Sequence, residues 1–358
     1  MQVTRPAAVV VLAAGAGTRM KSALPKVLHK MCGRSLLGHA IAAARGLDPE
    51  HLVVVVRHER DAVAAHALEC DPDVIIADQD DIKGTGRAVW CGLEVLPEGL
   101  EGAVVVMAGD VPLLDTESLA DMLARHGDNA VTVLTTNIPD ATGYGRIVRG
   151  ESGAIVDVVE HRDATPEERK ITEINTSTYA FDAGFLRTSL AGLGTENSQG
   201  EMYLTDVVAD ASNSGQGVGD YVLADSWLVE GCNDLAQLAT LRTEMQRRIN
   251  EKWMRAGVSI IDPVATYIDV DVVLEADSTV LPGTSLRGSS RVETGAIVGP
   301  GELTDTLVES GAKASHVVAY GGVVPAGITL PPFSVFPAVD VTAGGSDVSG
   351  EVPAARQN

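Results

Sequence analysis

Basic residues are scarce in this 358-residue chain, which carries 27 Lys and Arg against 49 Asp and Glu and has a formal charge of −22. Such a surplus of negative charge repels nucleic acid backbones and anionic membrane surfaces. We therefore expect neither nucleic acid nor a membrane among its partners. A site for a phosphorylated ligand must then be built locally, from a few well-placed cations.

Cysteines and long apolar runs are also scarce. The four cysteines show no C-x-x-C spacing, which is typical of reduced thiols in a cytosol rather than of a disulfide or zinc framework. The first apolar run, 7–14, is too short to span a bilayer, and residues 1–6 place no basic region ahead of a long apolar stretch. We expect a cytoplasmic protein. The cysteines are Cys32, Cys70, Cys91 and Cys232.

Short apolar runs alternate with stretches of helical period from residue 7 to about residue 226. The runs are continuous and rich in valine, as strands covered on both faces are. Repeated βα units predict an α/β fold, with a Rossmann-like domain over residues 1–232 whose mostly parallel sheet binds ligands at the carboxyl ends of its strands. The predicted strands are 8–11, 52–56, 74–77, 104–107 and 131–134, and the predicted helices are 36–44, 60–68, 86–93 and 118–125.

Two further patterns follow this domain. Residues 233–256 are predicted to form a charged amphipathic connecting helix. Over residues 257–340 apolar residues recur every six positions, which favours a short left-handed β-helix over a chance run of valines in a sandwich domain. The glycine- and serine-rich segment 341–358 is predicted to be a flexible tail. The helix should bury Leu235, Leu238, Leu241, Met245 and Ile249 on one face, and the β-helix should bury Ile268, Leu274, Val280, Leu286, Val292 and Val298, then, after a phase slip, Val318, Val324, Leu330 and Phe336.

The strongest motif is L-A-A-G-A-G-T-R-M at 12–20, directly after the first predicted strand. Small residues let backbone N–H groups approach a triphosphate, and Arg19 and Lys26 supply positive charge, so the pattern indicates a phosphate-binding loop. A tight turn without a ligand is one alternative. A dinucleotide-binding turn is another, although Met20 stands where its third glycine would be. A Walker A loop is excluded because Gly-Lys-Ser/Thr is absent.

A carboxylate follows the fourth predicted strand. Asp110 comes shortly after the run 104–107, so we expect it at the carboxyl edge of the sheet, where it could hold Mg²⁺ against phosphate oxygens. Taken alone, it could equally be a turn or helix-capping aspartate.

In order along the chain, these motifs and later ones resemble the uridyltransferase half of the bacterial bifunctional N-acetylglucosamine-1-phosphate uridyltransferases, the GlmU type. The resemblance covers residues 9–262. The matching motifs are L-A-A-G-x-G-T-R-M at 12–20, P-K-x-L at 25–28, G-T-G at 84–86, G-D-V-P at 109–112, T-G-Y-G-R-I at 142–147, V-E-H at 159–161, E-I-N-T at 173–176, Q-G-E at 199–201, Y-L-T-D at 203–206 and E-G-C-N at 230–233.

The resemblance implies Mg²⁺-dependent uridylyl transfer from UTP to N-acetylglucosamine-1-phosphate, and a homotrimer assembled through the β-helix. Arg19 would neutralise the departing pyrophosphate and Lys26 the α-phosphate, while Asp110 and Asn233 would hold the metal. Gln79 would offer an amide donor and acceptor to the uracil edge. The residues implied for nucleotide binding are Leu12, Ala13, Ala14, Gly15, Gln79, Gly84 and Thr85. Those implied for binding the sugar phosphate are Gly109, Asp110, Gly145, Glu160, Asn175 and Asn233.

The sequence also departs from this family. Phe336 occupies the position of an arginine at which the acetyltransferase site of related enzymes starts, and we expect no acetyltransferase activity. His316 precedes that point and is expected to be a structural or surface residue. Arg87 replaces a common histidine after G-T-G, and Ser177 replaces the glycine of N-T-G, which leaves the exact sugar open. A glucose-1-phosphate nucleotidyltransferase and a catalytically silent β-helix scaffold remain alternatives.

Overall fold

A computed structural model describes residues 5–336, so the predicted tail 341–358 and the last predicted positions of the β-helix, 337–340, lie outside the described residues. The chain divides after Met245 into two compact units. The strands of the first unit are β1 (Ala8–Leu12), β2 (Lys30–Met31), β3 (Arg34–Ser35), β4 (His51–Val56), β5 (Ile75–Asp78), β6 (Ala103–Ala108), β7 (Val131–Asn137), β8 (Arg146–Arg149), β9 (Ile155–Val159), β10 (Glu173–Asp182) and β11 (Val218–Leu223). Its helices are α1 (Leu36–Arg45), α2 (Arg60–Cys70), α3 (Thr85–Glu94), α4 (Thr116–His126), α5 (Ala183–Gly192) and α6 (Asp206–Asn213), and α7 (Leu235–Arg255) runs across the division.

The main sheet of the first unit has the strand order β11-β7-β10-β6-β1-β4-β5. Strand β1 pairs in parallel with both β4 and β6, as the βα pattern predicts. The exception is β10, which runs antiparallel to β6 and β7 and also pairs with β8 of the β8–β9 hairpin. The predicted Rossmann-like, mostly parallel fold is confirmed, with one reversed strand in its middle.

Both faces of this sheet are buried, which explains the continuous valine runs. In β1, Val9 and Val11 pack into the core on one side, while Ala8 and Val10 pack into the core on the other. A strand in such a position gains from an apolar residue at every place, not at alternate ones. The carboxyl ends of β1 and β6 therefore lie side by side in a rigid frame, in register from Ala8 with Val104 onwards.

Helix α7 begins at Leu235, and its apolar face is shorter than predicted. Leu238 and Leu241 are buried, but Leu235 is 52% exposed. A helical side chain lies over the turn that precedes its own Cα, and the first residue of a helix has no such turn to cover. Among residues 5–336, no helix combines the length and the apolar character needed to cross a membrane.

The second unit is the predicted left-handed β-helix. Short parallel strands stack in three sheets, and the buried side chains point into one core. Its strands are β12 (Ser259–Ile260), β13 (Thr266–Ile268), β14 (Val273–Leu274), β15 (Thr279–Val280), β16 (Thr284–Arg287), β17 (Arg291–Val292), β18 (Ile297–Val298), β19 (Gly301–Thr304), β20 (Leu307–Val308), β21 (Lys313–Ala314), β22 (Val317–Tyr320), β23 (Val323–Val324) and β24 (Val335–Phe336). The sequence prediction placed Val318 in the core, which is wrong.

The phase slip has a simple origin in coil length. The stacked positions Ile268, Leu286, Leu303, Ala319 and Phe336 are 18, 17, 16 and 17 residues apart. Coils shortened by one or two residues move the inward position, so Ala319 is 1% exposed while Val318 is exposed. The exposed His316 fits the expectation of a surface residue.

One buried histidine in the first unit gives the fold a pH dependence. His126 at the end of α4 is 5% exposed, and its Nδ1 lies 3.0 Å from Thr132 Oγ1. Burial lowers the pKa of His126, and the nearby Asp182 carboxylate only partly opposes this. The unfolded chain, where histidine titrates near about 6.5, then binds this proton more readily than the folded chain. This contribution to stability is complete above the unfolded pKa and is lost as pH falls towards the folded one.

We predict that the melting temperature of the protein falls between about pH 7 and pH 5, and falls less in the His126→Gln variant, whose neutral side chain has no proton to gain. Each kcal/mol of lost stability corresponds to about 2–4 °C in a domain of this size. Calorimetric scans of both proteins over this pH range measure the difference. Parallel curves for the two proteins would contradict the role of His126.

Candidate active site

The motif at 12–20 forms the end of β1 and a tight loop after it. Leu12 is the last residue of β1, Ala13, Ala14 and Gly15 continue from it, and Arg19 lies in a short 3-10 helix spanning Thr18–Met20. Gly15 and Arg19 are exposed, whereas Met20 is buried and anchors the loop. The loop therefore presents backbone and one guanidinium to solvent at the carboxyl edge of the sheet.

Gly17 allows this loop to pack closely on Lys26. Its φ is +56°, and a Cβ at this position would lie 2.5 Å from the Lys26 Cβ, closer than real Cβ contacts. A side chain here would therefore strain the backbone and push Lys26 away. The glycine is needed both for its conformation and for the space it leaves.

Four predicted side chains from distant parts of the sequence meet at this edge. Lys26 Nζ forms an ion pair with Asp110 Oδ2 and lies 3.3 Å from Asn233 Oδ1. Arg19 Nη2 donates to the same Asn233 Oδ1 at 2.7 Å. The backbone N–H of Cys232 donates to the Asp110 carbonyl at 3.0 Å, which fastens the segment carrying Asn233 to the end of β6.

The donor set fits a hard divalent cation. Asp110 Oδ2 and Asn233 Oδ1 face one common point, because both contact the Lys26 ammonium. Two protein oxygens suit Mg²⁺, which is usually bound through one or two protein ligands together with substrate phosphates. Within the part of the chain that the structure describes, His, Cys, Asp and Glu nowhere gather in a group of three or more that could hold a metal.

Gly109 and Asp110 continue β6 past its last paired residue. The Gly109 N–H donates to the Leu12 carbonyl at 2.9 Å, and a Cβ on Gly109 would lie 3.1 Å from that oxygen. The end of β6 is thereby held against the start of the phosphate loop. This contact places Asp110 beside the loop.

The residues predicted to surround a base lie in the 79–84 loop and at the start of α3. Gly84 has φ +117°, and a Cβ there would overlap the Met202 backbone. The Met202 N–H donates to the Lys83 carbonyl at 2.9 Å, and Thr85 Oγ1 accepts from the Leu204 N–H at 3.2 Å. The G-T-G motif therefore needs its first glycine for close packing against residues 202–204.

Gln79 differs from the sequence expectation in one respect. Its Nε2 donates to the Ile82 carbonyl at 3.0 Å and to the Gly84 carbonyl at 3.1 Å. The donor end of the amide is thus engaged within the loop, whereas both ends were expected to face a base. The acceptor Oε1 is the atom left to read a base edge.

Gly145 and Asn175 are in contact, and Glu160 directly follows Val159, which pairs with Arg146 next to Gly145. The Asn175 N–H donates to the Gly145 carbonyl at 2.9 Å, and a Cβ on Gly145 would lie 3.4 Å from the Asn175 Cβ. Asn175 is 5% exposed, and its Nδ2 donates to the Tyr179 hydroxyl at 2.7 Å. Burial raises the pKa of Glu160, and the carboxylates of Asp163 and Asp206 add to this rise.

A bulge in β10 fixes the orientation of Asn175, and an ion pair lies just before it on the same strand. The pairing of β10 with β7 shifts register between Asn175 and Tyr179, where Ser177 adopts φ +59° and its N–H donates to Asn175 Oδ1 at 3.2 Å. Two residues earlier, Glu173 accepts from Arg149 Nε at 2.8 Å and Nη2 at 2.6 Å. Ser177, which the resemblance places where relatives have glycine, therefore lies in a strained turn beside the Asn175 amide.

Sequence reasoning missed one pair that joins the two sides of the site. The Tyr144 hydroxyl donates to Glu230 Oε2 at 3.2 Å, which links the neighbour of Gly145 to the segment carrying Asn233. Burial and the Glu230 carboxylate raise the pKa of Tyr144 to about 12, so the phenol keeps its proton. Tyr144 and Glu230 both lie inside motifs that resemble the family, and this was the signal from which the pair could have been suspected.

The fold and this edge of the sheet define a nucleotidyltransferase. Residues 9–174 match the family model described as the MobA-like NTP transferase domain. Relatives named "Bifunctional protein GlmU" are 52% identical in Pseudarthrobacter chlorophenolicus, over 92% of this chain and 68% of the relative, and 50% identical in Streptomyces coelicolor, over 93% and 70%. A third, from Mycolicibacterium vanbaalenii, is 49% identical over 95% of this chain and 71% of its own length. The chain belongs to the GlmU family of bifunctional proteins, which confirms the resemblance seen in the motifs.

We predict that Gly17→Ala lowers nucleotidyl transfer by at least about tenfold while the protein stays folded. The added methyl strains the loop and displaces Lys26, and a shift of about 1 Å at a reacting centre can cost up to about 10²-fold. Turnover and the melting temperature should be measured together. Gly99→Ala is the matched control, since a Cβ at Gly99 meets nothing within 4 Å. Unchanged turnover in Gly17→Ala would show that the loop does not position Lys26.

Proposed function

We propose that this protein transfers a uridylyl group from UTP to N-acetylglucosamine-1-phosphate, giving UDP-N-acetylglucosamine and pyrophosphate, as a step in cell-wall precursor synthesis. The observation that carries the proposal is the meeting of Arg19, Lys26, Asp110 and Asn233 at one point of the sheet edge. A catalytically silent scaffold would have no reason to gather these four groups.

The reaction needs positioning and charge neutralisation more than a reactive side chain. An oxygen of the sugar phosphate attacks the α-phosphorus of UTP, the bond from that phosphorus to the bridging oxygen of the β-phosphate breaks, and pyrophosphate leaves. No covalent enzyme intermediate is involved. The protein therefore contributes mainly by holding two anions in line and by offsetting their charge.

The residues of the loop after β1, together with Lys26, supply most of this positioning and charge neutralisation. Backbone N–H groups after β1 approach the triphosphate, Arg19 neutralises the leaving pyrophosphate, and Lys26 neutralises the α-phosphate. Lys26 is 13% exposed and paired with Asp110, so its ammonium is held in place before a ligand arrives. Mg²⁺ bound at Asp110 and Asn233 would supply further positive charge to the phosphate oxygens.

Base and sugar are bound on the two flanks of this centre. Gln79 Oε1 would accept from the imide N–H of uracil, with Gly84 and Thr85 closing the pocket. On the other flank, Glu160 and Asn175 would bind sugar hydroxyls and the acetamido group, and Gly145 would allow close approach. Ser177 beside Asn175 is the reason to test other hexose-1-phosphates as well.

We infer that the protein is cytoplasmic and assembles as a homotrimer through the β-helix. Outward side chains of the second unit support assembly: Val318 and Val335 are paired neighbours on one sheet and are 36% and 67% exposed. Isolated apolar side chains on a surface are common, but neighbouring ones on one face are typical of a contact surface. A solution mass of one chain would refute the trimer.

The decisive experiment is pyrophosphate release from UTP and Mg²⁺ against a panel of hexose-1-phosphates. We expect the highest kcat/KM with N-acetylglucosamine-1-phosphate and little release when Mg²⁺ is removed by a chelator. A preference for glucose-1-phosphate would refute the assigned sugar but not the transfer. No release with any sugar phosphate would refute the proposed function as a whole.

Asp110→Ala should lower turnover by at least about 10²–10³-fold, as loss of one electrostatic contact to a transition state does. The variant loses a metal ligand and also leaves Lys26 without its ion-pair partner. Turnover should be measured across a Mg²⁺ titration. Glu98→Ala, which removes an exposed carboxylate before the start of β6, at the opposite end of the strand from Asp110, is the control and should behave as wild type. Near-normal turnover in Asp110→Ala would reject the metal assignment.

A further inference from the structure

Arg87 directly follows the G-T-G motif, and the structure gives it a definite partner. It lies in the first turn of α3, two residues after Thr85, and is partly buried. Its Nε donates to Asp80 Oδ2 at 2.9 Å, and its Nη2 contacts the same oxygen. Asp80 directly follows Gln79, the residue assigned to the base.

The Asp80–Arg87 pair closes the 79–84 loop. The other carboxylate oxygen, Asp80 Oδ1, accepts from the Ile82 N–H at 3.0 Å. The Ile82 carbonyl in turn accepts from Gln79 Nε2 at 3.0 Å, and the Gly84 carbonyl accepts from the same nitrogen at 3.1 Å. The direction of the Gln79 amide therefore depends on two carbonyls, and the position of Ile82 depends on Asp80.

The pair also sets the charge of the loop. The Arg87 guanidinium lowers the pKa of the Asp80 carboxyl, so Asp80 is ionised at neutral pH. An unpaired carboxylate beside a nucleotide pocket would repel a triphosphate, whereas one neutralised by Arg87 does not. At 22% and 41% side-chain exposure, the pair contributes little to global stability. We therefore expect the pair to affect mainly how well ordered the 79–84 loop is.

We propose that Arg87 is a positioning residue for base recognition, which acts through Asp80 to hold the 79–84 loop and the Gln79 amide in the orientation that accepts uracil. This inference rests on the proposed function and adds to it a residue that contacts no substrate. The side chains assigned to the phosphates and to the sugar, Lys26 and Asn175 among them, lie outside this loop, so we expect the effect on nucleotide binding.

The test uses the full chain with Arg87→Ala, Arg87→Lys and Asp80→Asn. We expect Arg87→Ala to raise the KM for UTP, and the Kd for UTP with Mg²⁺ measured by calorimetry, by about three- to tenfold, as loss of an exposed ion pair and of the loop order it supports would. The kcat and the KM for the sugar phosphate should stay within about twofold. The preference for UTP over CTP should fall, and Arg87→Lys should recover part of it.

Arg60→Ala is the matched control. Arg60 is also paired to an aspartate, with Nε 2.8 Å from Asp78 Oδ1, but the pair lies just before the loop and not across it. Its variant should keep the wild-type KM for UTP. When Arg87→Ala is added to Asp80→Asn, the KM for UTP should change little further.

Three results would overturn the inference. The first is an unchanged UTP affinity in Arg87→Ala, and the second is an equally large loss of UTP affinity in Arg60→Ala. The third is a full further loss of UTP affinity when Arg87→Ala is added to Asp80→Asn, because this would mean that Arg87 contacts the ligand directly. A melting temperature near that of wild type shows that the variants are folded, and Arg87→Lys covers the case in which the alanine variant is not. A wild-type chain that binds no UTP would instead refute the proposed function, and this inference with it.

Discussion

The contact of the Lys26 ammonium with the oxygens of Asp110 and Asn233 is the constraint on which the site depends. These residues are 84 and 207 positions away from Lys26 in the sequence, and only the fold brings them together. In a chain with a formal charge of −22, such a cluster of cations is a local exception to the general field. The ion pair keeps the lysine from swinging into solvent, so the positive charge is organised ahead of any anion.

Three structural features secure this contact. The parallel pairing of β1 and β6 fixes the two strand ends side by side, Gly17 lets the phosphate loop approach Lys26, and the Cys232 N–H fastens the Asn233 segment to the Asp110 carbonyl. The Tyr144–Glu230 hydrogen bond then ties the sugar flank to the same segment. Each link is a short-range contact, but together they couple the parts of the site that are proposed to bind phosphate, metal and sugar.

Much of this could be predicted from the sequence. Strands buried on both faces are read from continuous valine, so the βα order and the position of Asp110 at a strand end followed directly. The reversed strand β10 could not be predicted in this way. Its polar residues, such as Asn175 and Thr176, are buried and satisfied by hydrogen bonds that no local sequence pattern reveals. The engaged donor of Gln79 and the Asp80–Arg87 pair were hidden for the same reason. They depend on the path of a loop, which composition and periodicity do not specify.

The varying length of the coils in the second unit has a further consequence. The shortest of these coils, from Leu303 to Ala319, leaves less room inside, and it buries Ala312 and Ala314 together with Val308, all 0% exposed. A search that demands a bulky aliphatic residue at every sixth place will lose such a coil. Repeat detection in proteins of this architecture should therefore accept alanine, and steps of five residues, at the inward positions.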